Sequence, residues 1–74
     1  MAIDEERFFN ELSRRIAKAR KSQSLSQEAL EAKSNVDRVA IAYIEQGHRK
    51  PTVTTVYRLS KGLGIKLENL FKGY

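Results

Sequence analysis

Arg38, Val39 and Tyr43 lie within the stretch SNVDRVAIAYIEQG, residues 34 to 47, and bring three recognition chemistries close together. An arginine fork can donate two hydrogen bonds to guanine O6 and N7. A valine can touch a thymine methyl, and a tyrosine can do either or reach a phosphate. Taken alone, the apolar run VAIAYI would suit a buried strand or a core helix. At helical spacing, however, Ile41 and Ile44 share one side with Val36 from the preceding turn, while Arg38, Val39, Ala42 and Tyr43 point elsewhere. Geometry leaves two readings of that second face open. Either it reads nucleic acid, or Tyr43 packs along the protein and Arg38 is solvated.

Other chemistries find little support. The single histidine, His48, sits between Gly47 and Arg49 with no cysteine in the chain. No carboxylate stands at metal-ligand spacing from it, so contact with solvent or phosphate is its expected role. The GLG at 62–64 reads as a helix terminus, not a phosphate-cradling loop. Serines are plentiful, but one loop histidine does not make a Ser–His–acid set. No enzyme activity, catalytic residue, metal or cofactor is expected. The charge balance is 14 Lys plus Arg against 9 Asp plus Glu, a net +5. The resulting pI near 9.8 permits a nucleic-acid partner without requiring one.

These residues must be positioned by a small molecule. At 74 residues the length suits one domain, residues 1–74. A chain this small buries only about 60% of its unfolded surface. With no cysteine for staples, close helix packing or oligomerisation must stabilise it. No apolar stretch approaches the roughly 18 residues of a membrane span. The start, MAIDEERFF, is acidic and lacks a basic-then-apolar leader pattern. The expected location is the cytoplasm.

Punctuation divides the chain into helices. The first is predicted over Asp4 to Lys21, with Phe9, Leu12, Ile16 and Ala19 inward, Phe8 partly covered, and Arg14, Arg15 and Lys18 on a solvated face. Ser26 caps a second, Gln27 to Lys33, with Leu25 and Leu30 at hydrophobic-staple spacing. Ser34 and Asn35 form a turn. Asp37 caps a third, Arg38 to Gln46, which Gly47 stops. After the basic loop His48–Arg49–Lys50, Thr52 caps a fourth, Val53 to Leu63, with Val56, Leu59, Ser60 and Leu63 inward. Gly62 weakens that helix by roughly 1 kcal/mol relative to Ala, so small size there should serve packing. IKLENLF, 65–71, forms a short fifth helix.

The second and third helices have helix-turn-helix spacing over about 26–46. The segment from Ile16 to Phe71 resembles the Cro/repressor-type, or XRE-type, helix-turn-helix family. The landmarks are Arg20, Ser26-Gln27, Leu30, Val36, Ile41, Ile44-Glu45-x-Gly47, Pro51, Leu59, Leu63-Gly64 and Leu70-Phe71. The resemblance implies an all-α, compact five-helix, lambda-repressor-like domain. It places Arg38, Val39 and Tyr43 on base-facing positions. It makes Ser26, Gln27, Ala40, His48, Arg49 and Lys50 the candidate DNA-backbone contacts, and it implies a structural ion pair between Arg20 and Glu45. SNVDR in a small basic chain also resembles the controller proteins of restriction–modification systems, which regulate their own operon.

One residue departs from the family pattern: Glu31 stands where Ala is usual. Burying an unpaired carboxylate would cost several kcal/mol. Glu31 must bend outward, find a partner, or open the helix pair and change the angle of the third helix. The expected function is sequence-specific regulation of transcription by a homodimer on a palindromic operator. The partners would be double-stranded DNA and a second copy, with RNA polymerase a further candidate and neither membrane nor small-molecule ligand expected. The rival is a protein-interaction module, such as an antitoxin or adaptor, using the same fold. Leu67, Leu70, Phe71 and Tyr74 offer more apolar groups than one short helix need bury, and are the candidate dimer surface. The alternative is that they all pack on the first helix.

Overall fold

The computed structural model describes residues 4–74. Met1 to Ile3, where the acidic start MAIDEERFF and the expected 1–74 domain begin, lie outside the described residues. The helices are α1 (Glu5–Ser22), α2 (Gln27–Ser34), α3 (Arg38–Glu45), α4 (Val53–Leu63) and α5 (Leu67–Leu70). The all-α, five-helix expectation is borne out.

The ends form where side-chain chemistry permits them. Asp4 stands outside α1 and accepts from the Arg7 amide, Ser26 accepts from Ala29, and Thr52 accepts from Thr55. Each satisfies an amide that the helix leaves without a partner. Gly47 (φ 78°) ends α3, with its N–H on the Ile44 carbonyl and the His48 N–H on the Tyr43 carbonyl. Gly64 ends α4 with the same pair of bonds, to Lys61 and, through Ile65, to Ser60. Both are Schellman closures, which need a left-handed residue. Ser24 closes α1 in the same way at φ 56°, without the help of a glycine.

One apolar cluster joins all five helices: Leu12 and Ile16 of α1, Leu30, Val36, Ile41 and Ile44, Val56, Leu59 and Leu63 of α4, and Leu70. Gly62 and Ser34 mark the closest approach of α2 to α4. A Cβ at Gly62 would stand 2.7 Å from the Ser34 Cβ and 3.0 Å from its backbone. The small residue is therefore required by packing.

Three expectations need correction. Ser34 is the buried last residue of α2, not a turn residue. Its Oγ donates to the Leu30 carbonyl (2.7 Å) and accepts from the Val36 N–H (3.2 Å), so a hydroxyl does the work of the turn from inside. Arg15 is not merely solvated: its Nη1 donates to the Leu70 carbonyl at 3.0 Å, tying α1 to the end of α5. Leu70 is not part of a dimer surface. It is only 2% exposed and belongs to the core cluster, which Leu67 and Phe71 flank as partly buried groups.

Candidate nucleic-acid interface

The geometry of this candidate surface starts with the anchoring of α3. Its core side is Ile41 and Ile44, both buried, with Val36 beneath the turn. Asn35 takes the left-handed conformation (φ 58°) that lets α2 turn into α3. Asp37 accepts from the Val39 N–H (3.0 Å) and the Ala40 N–H (3.4 Å). Glu31 reaches across the turn and accepts from the Arg38 N–H at 2.9 Å. This answers the question raised by its position: the carboxylate finds a partner, and Leu30 and Ile41 stay fully buried beside it. The first three amides of α3 are thus held by two carboxylates, which also complement the positive end of the helix.

The opposite side of α3 is open. Val39 is 49% exposed and Tyr43 44%, large apolar groups that the core does not use. The Arg38 side chain is exposed, with Nη1 3.6 Å from the Glu28 carboxylate. Arg49 lies 5.5 Å over the Tyr43 ring, linking the following loop to the same face. Ala40 is half-buried and faces a cleft between α3 and the start of α4. That cleft is also lined by Arg49, Lys50, Thr52, Thr55 and Arg58. Thr55 and Arg58 were not among the expected contacts. Their spacing of three and six from the Thr52 cap puts them on the side of α4 facing the basic loop, a signal that was available in the sequence.

Other expected contacts are spoken for within the chain. Gln27 donates to Glu45 Oε1 at 3.2 Å, and the Ser26 hydroxyl is used as a cap. Lys50 lies 3.4 Å from Glu6, 3.8 Å from Glu5 and 5.4 Å from the Phe9 ring centre, drawn toward the start of α1. His48 and Arg49 are exposed.

Behind the surface, Arg20 and Glu45 form a bidentate pair, Nε to Oε2 at 2.7 Å and Nη2 to Oε1 at 2.9 Å. The third arm, Nη1, donates to the Leu25 carbonyl at 2.8 Å. The hydrogen bond to Glu45 raises the Arg20 pKa above the usual arginine value; burial opposes the shift and the carboxylate charge supports it. The pair fixes the end of α3 to α1, and Gln27 brings the start of α2 into the same network.

The expected dimer residues divide. Phe71 stacks on Phe8 at 5.8 Å, Tyr74 meets Phe8 edge-on at 5.1 Å, and Arg15 covers the Tyr74 ring. Leu67 turns the other way, into a shallow groove with Tyr57 and Ile65 rimmed by Lys61 and Glu68.

Among the described residues no group of three or more His, Cys, Asp or Glu could hold a metal ion. No helix among them is long and apolar enough to cross a membrane.

A helix-turn-helix family model matches residues 16–70. The chain is 39% identical over 49 residues to an uncharacterized HTH-type transcriptional regulator, y4dJ, of Sinorhizobium fredii (strain NBRC 101917 / NGR234). That match covers 66% of this chain and 64% of the relative, so the chain spans less than two thirds of that relative's length. It is 39% identical over 66 residues to the control protein C.MunI of a Mycoplasma species, covering 88% of this chain and 84% of the other. The fold is also similar to that of the restriction–modification controller protein C.Esp1396I, solved as a tetramer in complex with its natural 35 base-pair operator. The TM-score is 0.83, with 32% identity, over 88% of this chain and 86% of that one.

Proposed function

We infer a regulatory role from one premise: this chain belongs to the helix-turn-helix family. It is a homologue of restriction–modification controller proteins. It binds double-stranded DNA and regulates transcription, as a homodimer on a palindromic operator upstream of its own restriction–modification operon. The observation that carries this reading is the open face of α3, where Arg38, Val39 and Tyr43 are exposed on the second helix of the motif. Those three read base edges. Ala40, His48 and Arg49 approach the phosphates, Ser26 and Gln27 each do so through a hydrogen left over from their internal bonds, and Lys50 does so on leaving Glu5 and Glu6, with Thr55 and Arg58 completing the cleft beside the basic loop. The dimer surface is the groove of Tyr57, Ile65 and Leu67. The protein works where its operator is, in the cytoplasm, and an operator beside the promoter would bring RNA polymerase within reach.

A footprint on the DNA upstream of the gene tests this reading. Protection of an inverted repeat is expected, with affinity falling by about 0.9 log unit per neutralised phosphate per log unit of salt. Binding with no sequence preference and no footprint would favour an adaptor or antitoxin instead.

A further inference from the structure

We propose that Glu28 and Glu31 are positioning residues for Arg38, which makes α2 a determinant of which base the protein prefers. The inference rests on Arg38 being a base-reading residue. Glu28 and Glu31 are three apart and so share one side of α2. Both reach the first residue of α3. Glu31 holds its backbone N–H at 2.9 Å, and Glu28 faces its guanidinium at 3.6 Å through Nη1. Carboxylates of the preceding helix thus meet Arg38 at both ends, Glu31 by a hydrogen bond to its backbone and Glu28 by an exposed ion pair with its guanidinium.

The consequence follows from the shape of the guanidinium. It is planar and offers five N–H donors in a fixed fork. A guanine takes two of them, on O6 and N7. Because Glu28 lies nearest Nη1, it leaves the edge made by Nε and Nη2 for a guanine. The carboxylate orients that edge and costs the side chain freedom before DNA arrives, so less is lost on binding.

Glu28 also acts against the wrong DNA. Its side chain is 73% exposed, close to where a duplex would lie, and it repels every phosphate alike. If Arg38 left Glu28 to follow the phosphate backbone, that carboxylate would face a polyanion without its partner. A guanine at the right position is read with the pair intact. Glu28 therefore weakens binding to all duplexes but penalises random sequence more, a specificity gained through repulsion. Glu31 supports the same outcome by fixing the backbone from which Arg38 extends. Its Oε2 also fills an amide that could otherwise bind a phosphate at the start of α3.

The test uses the full chain and a duplex that the wild-type protein selects from a randomised pool. Each guanine is replaced in turn by 7-deazaguanine, which lacks the N7 acceptor, and affinity is read by fluorescence anisotropy. Arg38→Ala should abolish sensitivity at one guanine. If it weakens all duplexes equally, the base-reading assignment itself is wrong. With that guanine known, Glu28→Ala should bind random duplex more tightly while discrimination at the same guanine falls about fivefold or more, within the range of one bidentate contact. In the Arg38→Ala background, Glu28→Ala should change discrimination no further. Glu31→Ala should also lower discrimination. Glu31→Gln should preserve it, because an amide oxygen can accept from the same N–H. The proposal is overturned if Arg38→Ala is guanine-specific yet Glu28→Ala shifts every duplex by one common factor.

Discussion

Arg38 and Arg49 carry the same charge in different surroundings, and their loss should be felt differently. Arg38 stands at the front of α3, whereas Arg49 lies in the loop over Tyr43, beside the cleft toward α4. Arg38→Ala should cost about 1–3 kcal/mol on the selected site and relax preference at one base pair. Arg49→Ala should weaken all sequences alike and reduce the salt slope by about one. Equal losses on selected and random DNA for both variants would assign both residues to phosphate. Glu45 presents the opposite case, a carboxylate at the end of α3 itself but turned inward. Both members of its pair with Arg20 are nearly buried, so Glu45→Ala leaves a guanidinium without its partner. The expected cost is about 3 kcal/mol, which in a chain this small lowers Tm by on the order of 15 °C. The raised pKa of Arg20 fixes the sign with pH. Stability from such a shift is complete below the usual arginine value and is lost only as pH rises through the raised one. Arg20's titration should therefore contribute no change in the melting difference between about pH 6 and pH 8. An unchanged Tm in Glu45→Ala would mean that the pair contributes little and that α3 is held by its apolar side alone.

At the level of helices, Gly62 sets two effects against each other. Alanine would favour the helix by roughly 1 kcal/mol. Its Cβ would also stand 2.7 Å from the Ser34 Cβ and 3.0 Å from the backbone of α2, which cannot move without disturbing the motif. Overpacking of this kind costs about 1–3 kcal/mol, so Gly62→Ala should lower Tm; a rise would show that α2 and α4 can separate freely. The same helices show what was legible in the sequence. The division of α3 was readable because eight residues are two full turns, enough for Ile41 and Ile44 to separate from Val39 and Tyr43 by period alone. The four residues of α5 supply no such period, so Leu70 could not be distinguished from Leu67 without knowing where α1 lies. Ser34 was misplaced because its hydroxyl replaces a turn residue from within the helix. Lys50 turned toward Glu5 and Glu6, and Glu31 toward the Arg38 amide, for reasons of tertiary approach that no local pattern carries. The family pattern marked Glu31 as unusual; only the distance across the turn says what it does.

For the whole molecule, size argues for two copies. Recognition helices that enter successive major grooves on one face of DNA must stand about 34 Å apart. Points related by a two-fold axis stand at twice their distance from it, so each α3 must lie about 17 Å from the axis, a distance that a protein of 40 × 22 × 21 Å can span. The groove of Tyr57, Ile65 and Leu67 offers an apolar surface for that contact: Tyr57 is 50% exposed, and Lys61 and Glu68 on the rim can pair across a two-fold axis. Phe71 is half-buried against Phe8, while Tyr74 meets the same ring edge-on and stays 60% exposed, a second apolar patch on another side. A double variant, Tyr57→Glu with Leu67→Glu, should sediment as a monomer at concentrations, on the order of tens of micromolar, where the wild-type chain is expected to sediment as a dimer. Its helical circular dichroism should be unchanged, because Tyr57 lies outside the core and Leu67 only flanks it. DNA binding then gives an independent check. A dimer neutralises phosphates on two half-sites and a monomer on one, so the slope of log affinity against log salt should fall to about half. If the variant remained a dimer with the wild-type slope, the contact between copies would have to lie on another face.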